Sequence, residues 1–262
     1  MEPTPFFAAT DAGLVPHPDA RSPWSADMLH GRLLAGLAAW AIERDHGEPD
    51  LQPARLTVDL FRSPAMAPAE VATTLVRSGG RVRVVDAALR VGGVDVARAS
   101  CLFLRRSAEG GDGGDDAPRT PAWDAPEPEG QPPTEMPNEV PFDVRPAGDH
   151  GFAAPGGAER RVWLRDLRPL VEGAGLSPFV RAALTADFAS PLANMASTGL
   201  SFINADLTLH LARPPEGEWL GLATGDRVTV DGVSVAQCLL HDRRGPVGWS
   251  SVAAVHYAWM GG

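Results

Sequence analysis

The chain has 262 residues, of which 44% are hydrophobic, and its formal net charge is −10. This length and apolar content suit one large or two small domains with a substantial core. The negative charge argues against general nucleic-acid binding, which needs a basic face, and no apolar run reaches the ~18 residues that span a bilayer. The N-terminal segment lacks the basic and apolar regions of a signal peptide, so we expect a cytoplasmic protein.

The first half predicts a hairpin, a helix and four strands. Residues 5–17 are typical of a short hairpin, and Leu33, Leu34 and Leu37 open an apolar stripe at helical spacing over 29–44. A change of phase within one of the strands predicts a β-bulge, and Gly92-Gly93 predicts a tight turn. The four strands are expected at 55–62, 70–77, 81–91 and 94–106.

From about 107 to 138 the composition changes to Pro, Gly and acidic residues. Such a segment buries too little apolar surface to offset its ordering entropy. We therefore expect a solvated linker between two structured halves.

The second half predicts a strand, a helix and a set of strands. Ser177 suits the N-cap of a helix over 176–194, Pro178 suits its first turn, and Pro191 ends or kinks it. The strands are expected at 160–166, 201–212, 218–223, 227–229, 233–242 and 247–257.

Asp187 lies in the middle of this second helix, among Ala183, Ala186 and Ala189. A carboxylate in so apolar a segment is unfavourable unless it has a partner or a function. Two interpretations remain open: a solvated or backbone-bonded carboxylate, or a functional one. The small neighbours allow other backbone to approach it closely.

The remaining residue types exclude several chemistries. Cys101 and Cys238 each lie in an apolar strand, which predicts buried free thiols rather than a disulfide or a metal site. The seven histidines show no paired metal spacing, and neither a GxSxG elbow nor a phosphate-binding loop is present. We therefore expect no metal and no cofactor.

The two halves repeat one another at an offset of 151 residues. ARLTVDLFRSP at 54–64 is similar to ADLTLHLARPP at 205–215, and the same offset relates Val84 to Val235 and Leu89 to Leu240. It also aligns Gly36 with Asp187. A helix followed by an antiparallel meander thus occurs twice, and two such units can join their sheets edge to edge.

These segments resemble the double hotdog acyl-CoA thioesterases, in particular the bacterial type II (TesB-like) group. The resemblance rests on Trp24, on His30-Gly31 at the start of the first helix, and on segments of both halves. It implies an α+β fold in which two tandem helices are each wrapped by a curved antiparallel sheet. The expected domains are 1–106 and 139–262, joined by the linker 107–138. The segments are RLTVDLFRSP, GRVRVVDAALRVGGVDVARAS, TADFASPL, INADLTLHLARPPEGEWLGL and GPVGWSSVAAV.

The resemblance also implies an activity, the hydrolysis of an acyl-CoA or a related thioester to a free acid and CoA. The family combines a helix Asp with a Thr or Ser and a Gln from the sheet, and these orient and activate a water. Asp187 matches the Asp, Ala253 occupies the Gln position, and the Thr position falls near Arg227, which makes Thr229 the candidate hydroxyl.

Further residues are candidates for substrate binding. Backbone N–H groups at His30 and Gly31 suit an oxyanion on the thioester carbonyl. Two functions remain open: a thioesterase acting through Asp187, favoured by that carboxylate, or a non-catalytic protein that binds acyl-CoA or another apolar ligand, favoured by Ala253. Association into homo-oligomers is also left open. The other candidates near the site are Asn194, Ser197, Thr198, Ser250 and Ser251.

Overall fold

The computed structural model describes residues 3–107, 120, 123–135, 140–148, 151–152 and 157–257, and most of the predicted linker lies outside these ranges. The first half contains β1 (Phe7–Thr10), β2 (Gly13–Pro16), β3 (Arg21–Ser22), β4 (Ser25–Leu29), α1 (Arg32–His46), β5 (Leu51–Leu60), β6 (Ala69–Ser78), β7 (Val82–Val91) and β8 (Val94–Arg105). The second half contains β9 (Phe142–Pro146), β10 (Arg161–Asp166), α2 (Pro178–Ala186), α3 (Ala189–Asn194), β11 (Met195–Ala196), β12 (Gly199–Leu200), β13 (Phe202–Asn204), β14 (Asp206–Leu211), β15 (Leu220–Val230), β16 (Val233–Asp242) and β17 (Gly245–His256). Short 3₁₀ turns lie at Pro18–Ala20 and Pro128–Gly130.

One antiparallel sheet runs through both halves. In the described residues it has 13 strands in the order β1-β2-β6-β7-β8-β5-β14-β17-β16-β15-β10-β9, with β13 paired to β17. The strands of the first half lie together from β1 to β5, those of the second half lie together from β14 to β9, and the two sets meet where β5 pairs with β14. The prediction that the two sheets join edge to edge is confirmed.

The junction between the halves has a centre of internal symmetry. Thr57 lies opposite Thr208, and their Oγ1 atoms are 3.3 Å apart. These two residues are separated by the 151-residue offset, so equivalent residues meet at the junction. The offset also relates β7 to β16 and β8 to β17 at both ends of each strand.

The helices pack against each other inside the curved sheet. A Cβ built on Gly36 would lie 2.5 Å from Leu184 Cδ2, so this glycine permits the close crossing of α1 and α2. The offset does not extend to the helices, because adding 151 to the bounds of α1 predicts 183–197, whereas α2 and α3 span 178–194. The alignment of Gly36 with Asp187 therefore does not hold in three dimensions.

The predicted second helix is divided in two, and the division lies earlier than Pro191. Proline has no N–H for the carbonyl of the residue four positions earlier, which is Asp187. That carbonyl accepts instead from Ser190 N at 3.2 Å, and Phe188 N bonds to Thr185 O at 3.0 Å. The chain therefore tightens at Asp187 and Phe188, and Pro191 lies inside α3.

The β-bulge predicted within 81–91 is not in that strand, and bulges lie instead in the two strands that flank β7. The register shifts between Leu75 and Arg77 in β6, and between Leu89 and Arg90 of β7 as they pair with β8. The extra residue is Val76 in β6 and Val96 in β8. The change of phase in 81–91 therefore arises from bulges in the neighbouring strands. Gly92 and Gly93 both have positive φ (57° and 78°), as the predicted tight turn requires.

Part of the predicted linker packs against the second half. The Trp123 ring lies 4.9 Å from the Trp163 ring and covers Gly221, where any Cβ would overlap it. Residues 123–135 therefore form a strap on the sheet of the second half in this structure. The expectation of a solvated spacer does not apply to them.

Both cysteines lie in the hydrophobic core. Cys101 and Cys238 are buried free thiols, as predicted, and burial raises the pKa of the Cys238 thiol to about 12. No helix within the described ranges combines the length and the apolar character that a membrane crossing requires.

Candidate active site

Asp187 lies at the C-terminal end of α2, at the break in the helix, and only 8% of its surface is exposed. The side-chain amide of Asn204 donates a hydrogen bond of 2.8 Å, from Nδ2 to Asp187 Oδ1. Asp187 therefore belongs neither to a solvated edge nor to a backbone-capping arrangement. It is a buried carboxylate with one amide partner.

Strand pairing places Asn204 beside the helix. Asn204 lies directly opposite Ala254, and residues directly opposite each other point to the same face of a sheet. Ala254 is buried on the face that covers the helices. Its methyl group leaves room for the Asn204 side chain to reach Asp187. Sequence reasoning missed Asn204, and its only signal was a polar residue at the end of an otherwise apolar strand.

A buried ion pair lies next to this carboxylate. Arg32 Nη2 donates to Asp166 Oδ1 at 2.5 Å, and Arg32 Nε donates to Leu184 O at 3.3 Å, one turn before Asp187. Both side chains of the pair are almost completely buried. The sequence analysis missed this pair because its members lie on separate elements, the start of α1 and the end of β10.

The surroundings raise the pKa of Asp187 above its ordinary value. Burial is the main cause, because it disfavours the charged form. The hydrogen bond from Asn204 and the positive charge of Arg32 oppose this effect in part. A carboxylate with a raised pKa is a stronger base, which is the property that a residue activating water needs.

His30 and Gly31 lie at the start of α1, as predicted, but the His30 N–H donates to Ala20 O at 2.8 Å, so the prediction that it binds an oxyanion is wrong for His30. Burial, followed by the nearby charge of Arg32, lowers the pKa of His30 to about 3, so its ring is neutral at physiological pH. The N–H groups of Gly31 and Arg32 have no hydrogen-bond partner in the described part of the chain. Open space surrounds Gly31, where an added Cβ would meet nothing within 4 Å. These free donors are the first N–H groups of a helix, which favour negative charge.

A cavity of about 480 Å³ opens beside His30. Its wall includes Trp24, Arg21, Val140 and Pro141. The His30 ring contacts Phe142, with ring centroids 6.2 Å apart, and Phe142 contacts Phe188, the residue after Asp187, at 5.7 Å. Contacts between these rings therefore connect the cavity wall to the helix break.

Thr229 and Asn194 belong to one hydrogen-bonded chain. Thr229 Oγ1 bonds to Ser234 Oγ at 3.0 Å, and Ser234 Oγ donates to Asn194 Oδ1 at 2.8 Å. Arg227 Nε also donates to Asn194 Oδ1, at 2.9 Å. No hydrogen bond joins Thr229 to Asp187 within the described ranges. The Asn194 Nδ2 group is buried and has no hydrogen-bond partner in the described residues.

The other candidate residues lie around or away from Asp187. Ser250 Oγ donates to Ala186 O at 2.9 Å and supports the end of α2. Ser251 lies on the opposite face of β17, beside Thr208, so the structure does not bring it to Asp187. Ser197 and Thr198 are exposed in the turn between β11 and β12.

Ala253 also lies on the outer face of β17, one residue before Ala254. Its backbone N–H donates to Asp206 Oδ1 at 2.6 Å. A longer side chain at this position would extend away from the helix break. The amide that contacts Asp187 in this chain is therefore that of Asn204.

Metal binding has no structural basis in the described residues. No group of three or more His, Cys, Asp or Glu side chains in these ranges is arranged to hold an ion.

Comparisons with known proteins establish the family. A model of the acyl-CoA thioesterase N-terminal domain matches residues 20–104, and a model of the acyl-CoA thioesterase C-terminal domain matches residues 113–251. The chain therefore belongs to the acyl-CoA thioesterase family. The C-terminal match begins inside the predicted linker. A comparison with curated protein sequences gives no match.

Solved structures share the fold. A conserved protein with a hot dog fold from Alicyclobacillus acidocaldarius is 16% identical over 92% of this chain and 91% of its own, with a TM-score of 0.71. The acyl-CoA thioesterase II TesB2 from Mycobacterium marinum is 19% identical over 87% and 91%, with a TM-score of 0.64. The tesB protein of Mycobacterium avium subsp. paratuberculosis is 15% identical over 91% and 90%, with a TM-score of 0.65. The predicted double hotdog fold is confirmed.

Proposed function

We propose that this protein hydrolyses an acyl-CoA or a related thioester to the free acid and the thiol, with Asp187 as the residue that activates water. The observation that carries the proposal is the buried Asp187 carboxylate held by the Asn204 amide. The family adds the substrate class, since both of its domain models describe acyl-CoA thioesterases. The arrangement needs no cofactor.

The reaction follows from these groups. Asp187 removes a proton from a water molecule as the water oxygen attacks the thioester carbonyl carbon, an effect typically of about 10²–10⁴-fold. Asn204 fixes the orientation of the carboxylate. The carbonyl oxygen becomes an oxyanion, and the free N–H groups of Gly31 and Arg32 are suited to stabilise it. The C–S bond then breaks, the thiolate takes up the proton, and the acid and the thiol leave.

The proposal also gives substrate-binding roles to residues around Asp187. His30 and Gly31 form the boundary between the helix start and the cavity, so the acyl or thioester portion would pass beside them. Asn194 would contribute its unpaired amide, and Thr229 would support Asn194 through Ser234. Ser251 remains a prediction, and its outer-face position favours a role at the junction of the halves. A cytoplasmic location and homo-oligomerisation also remain predictions.

The test is thiol release from a series of acyl-CoA chain lengths, comparing the native protein with Asp187→Asn. We expect native turnover at some chain lengths and a loss of at least about 10²-fold in the variant. Asp95→Asn is the matched control, because Asp95 is an exposed carboxylate paired with Arg90 on the surface. Equal activity of the native protein and Asp187→Asn would contradict the proposal.

One observation favours the alternative function, a hotdog protein that binds acyl-CoA or another apolar ligand without turnover. In the described part of the chain, no Ser or Thr hydroxyl bonds to Asp187, although the resemblance implies one. In that case the acyl-CoA series would give saturable binding but no thiol release from the native protein.

A further inference from the structure

A second cavity, of about 370 Å³, lies at the opposite end of the helix pair. It is bounded by the C-terminal end of α1, the N-terminal end of α2, and the strands β5, β8 and β14. Its apolar lining is contributed by Leu51, Phe103, Phe179 and Leu211, all of which are buried. None of its lining residues takes part in the Asp187 site.

The internal repeat relates this cavity to the Asp187 site. Adding 151 converts Pro53 and Phe103 into Asn204 and Ala254. Pro53 on β5 pairs with Phe103 on β8, just as Asn204 on β13 pairs with Ala254 on β17. Both Pro53 and Phe103 line the cavity. It is therefore the counterpart, in the first half, of the position at which Asn204 meets Asp187.

The two ends of the helix pair also resemble each other in their polar contacts. At the Asp187 site, the end of α2 lies against the start of α1 through the bond from Arg32 to Leu184. At the second cavity, the end of α1 lies against the start of α2, where Ser177 Oγ donates to Glu43 Oε2 at 2.5 Å. Each end of the helix pair thus carries one carboxyl group beside the start of the partner helix.

The second cavity holds groups that suit an amide or a thioester. Burial raises the pKa of Glu43, and in its protonated form the carboxyl oxygen that is not bonded to Ser177 can donate to a carbonyl oxygen. Gln52 Nε2 donates to Leu211 O at 3.1 Å, while Gln52 Oε1 has no hydrogen-bond partner in the ranges that the structure describes. This oxygen can accept the N–H of an amide, such as those in the pantetheine arm of CoA.

The catalytic arrangement of the first site is not repeated here. Pro53 replaces Asn204, so no amide from this position holds the Glu43 carboxyl, and Phe103 replaces the small Ala254. The Glu43 carboxyl is bonded instead to the Ser177 hydroxyl at the start of α2. The cavity thus combines recognition groups with an apolar wall, and it lacks the amide-held carboxylate of the Asp187 site.

We propose that the Glu43 cavity is a second acyl-thioester site, which binds the acyl chain and pantetheine arm of a second acyl-CoA molecule without hydrolysing it. The inference rests on the proposed function for its ligand class. The cavity volume lies in the range of ordinary ligand pockets, about 300–1,000 Å³. At the rim, Glu48 is paired with Arg83, and the exposed Arg106 provides a positive charge for the phosphates.

The test is calorimetric titration of the full chain with S-(2-oxodecyl)-CoA, a ketone analogue that keeps the carbonyl oxygen of a thioester and cannot be hydrolysed. We expect two molecules bound per chain. Pro49→Trp places a large ring at the exposed rim of the cavity and should reduce the stoichiometry to one, with thiol release changed less than twofold. Pro133→Trp is the control, because Pro133 is also exposed and does not line the cavity.

A second variant tests the polar groups. Glu43→Leu should weaken one of the two sites about tenfold or more and leave the other unchanged, since it removes the carboxyl that meets the carbonyl oxygen. One molecule or none per native chain would overturn the inference, as would two sites that neither variant alters. The proposed function fails separately, by unchanged thiol release in Asp187→Asn.

Discussion

The side-chain amide of Asn204 donates a hydrogen bond of 2.8 Å to the carboxylate of Asp187. Asn204 lies on β13, which pairs with β17, and Asp187 lies at the break between α2 and α3. This bond holds one oxygen of a buried carboxylate that also lies near the charge of Arg32. It lowers the pKa of Asp187, in opposition to the dominant effect of burial.

The first prediction is a pH profile. Because the pKa of Asp187 is raised, the acid limb of kcat should lie above the ordinary aspartate value of 3.8, and activity should rise with pH through that limb. Asn204→Ala removes a bond that lowers this pKa, so the limb should shift to higher pH. The plateau value of kcat should also fall about tenfold, because loss of the bond that positions the carboxylate raises the activation free energy by about 1.4 kcal/mol. A limb that is unchanged in Asn204→Ala would contradict the assignment.

The second prediction concerns stability. Below pH 3.8 Asp187 is protonated in both states, and as pH rises through its raised folded-state pKa the folded protein loses stability. Asp187→Asn keeps the bond to Asn204 and removes this loss. We therefore expect a higher Tm than that of the native protein at neutral pH, and a difference that shrinks toward pH 3.8. Calorimetry across this range measures both, and a lower Tm of the variant at pH 7 would contradict the account.

The third prediction concerns the buried ion pair. Asp166→Ala leaves Arg32 buried without its carboxylate, which should lower the free energy of unfolding by about 3–5 kcal/mol. Asp95→Ala breaks the exposed pair with Arg90 and should change it by less than about 1 kcal/mol. Urea denaturation measures both values. Similar effects of the two substitutions would show that the buried pair is not required for the helix packing.

The fourth prediction concerns the helix crossing. Gly36→Ala places a methyl group 2.5 Å from Leu184 Cδ2 and should destabilise the protein by about 1–3 kcal/mol, despite the better helix propensity of alanine. Leu184→Ala should reduce this effect in the double variant, because it removes the clashing side chain. Gly80→Ala is the control, since nothing lies within 4 Å of its Cβ position. Additive effects of Gly36→Ala and Leu184→Ala would contradict the predicted contact.

The strands could be predicted from the sequence because their alternation and their 151-residue repeat are local properties. Asp187 could be predicted as well, since a carboxylate among alanines is visible without a structure. Asn204 and the pair of Arg32 and Asp166 could not, because strand pairing and helix docking bring them together over long distances in the chain. The helix break at Asp187 was misplaced because proline acts on the carbonyl four residues before it.

Ala253 shows a limit of alignment. The resemblance to the family implies that it occupies the position of an amide, yet its side chain lies on the outer face of β17. Period-two alternation means that a shift of one residue moves a side chain to the other face. The nearest inward position is Ala254, and the amide is supplied by Asn204 on the neighbouring strand.

The most direct measurement of the central claim, that Asp187 activates water, is a single turnover of an acyl-CoA in H₂¹⁸O with the enzyme in excess. If Asp187 takes a proton from water, the first molecule of acid carries ¹⁸O and the peptide containing Asp187 remains unlabelled. If Asp187 attacks the thioester carbon itself and water then opens the resulting mixed anhydride at the Asp187 carboxyl carbon, the label enters Asp187 and the first acid is unlabelled. The account predicts the first result, and label in Asp187, or no acid released at all, would contradict it.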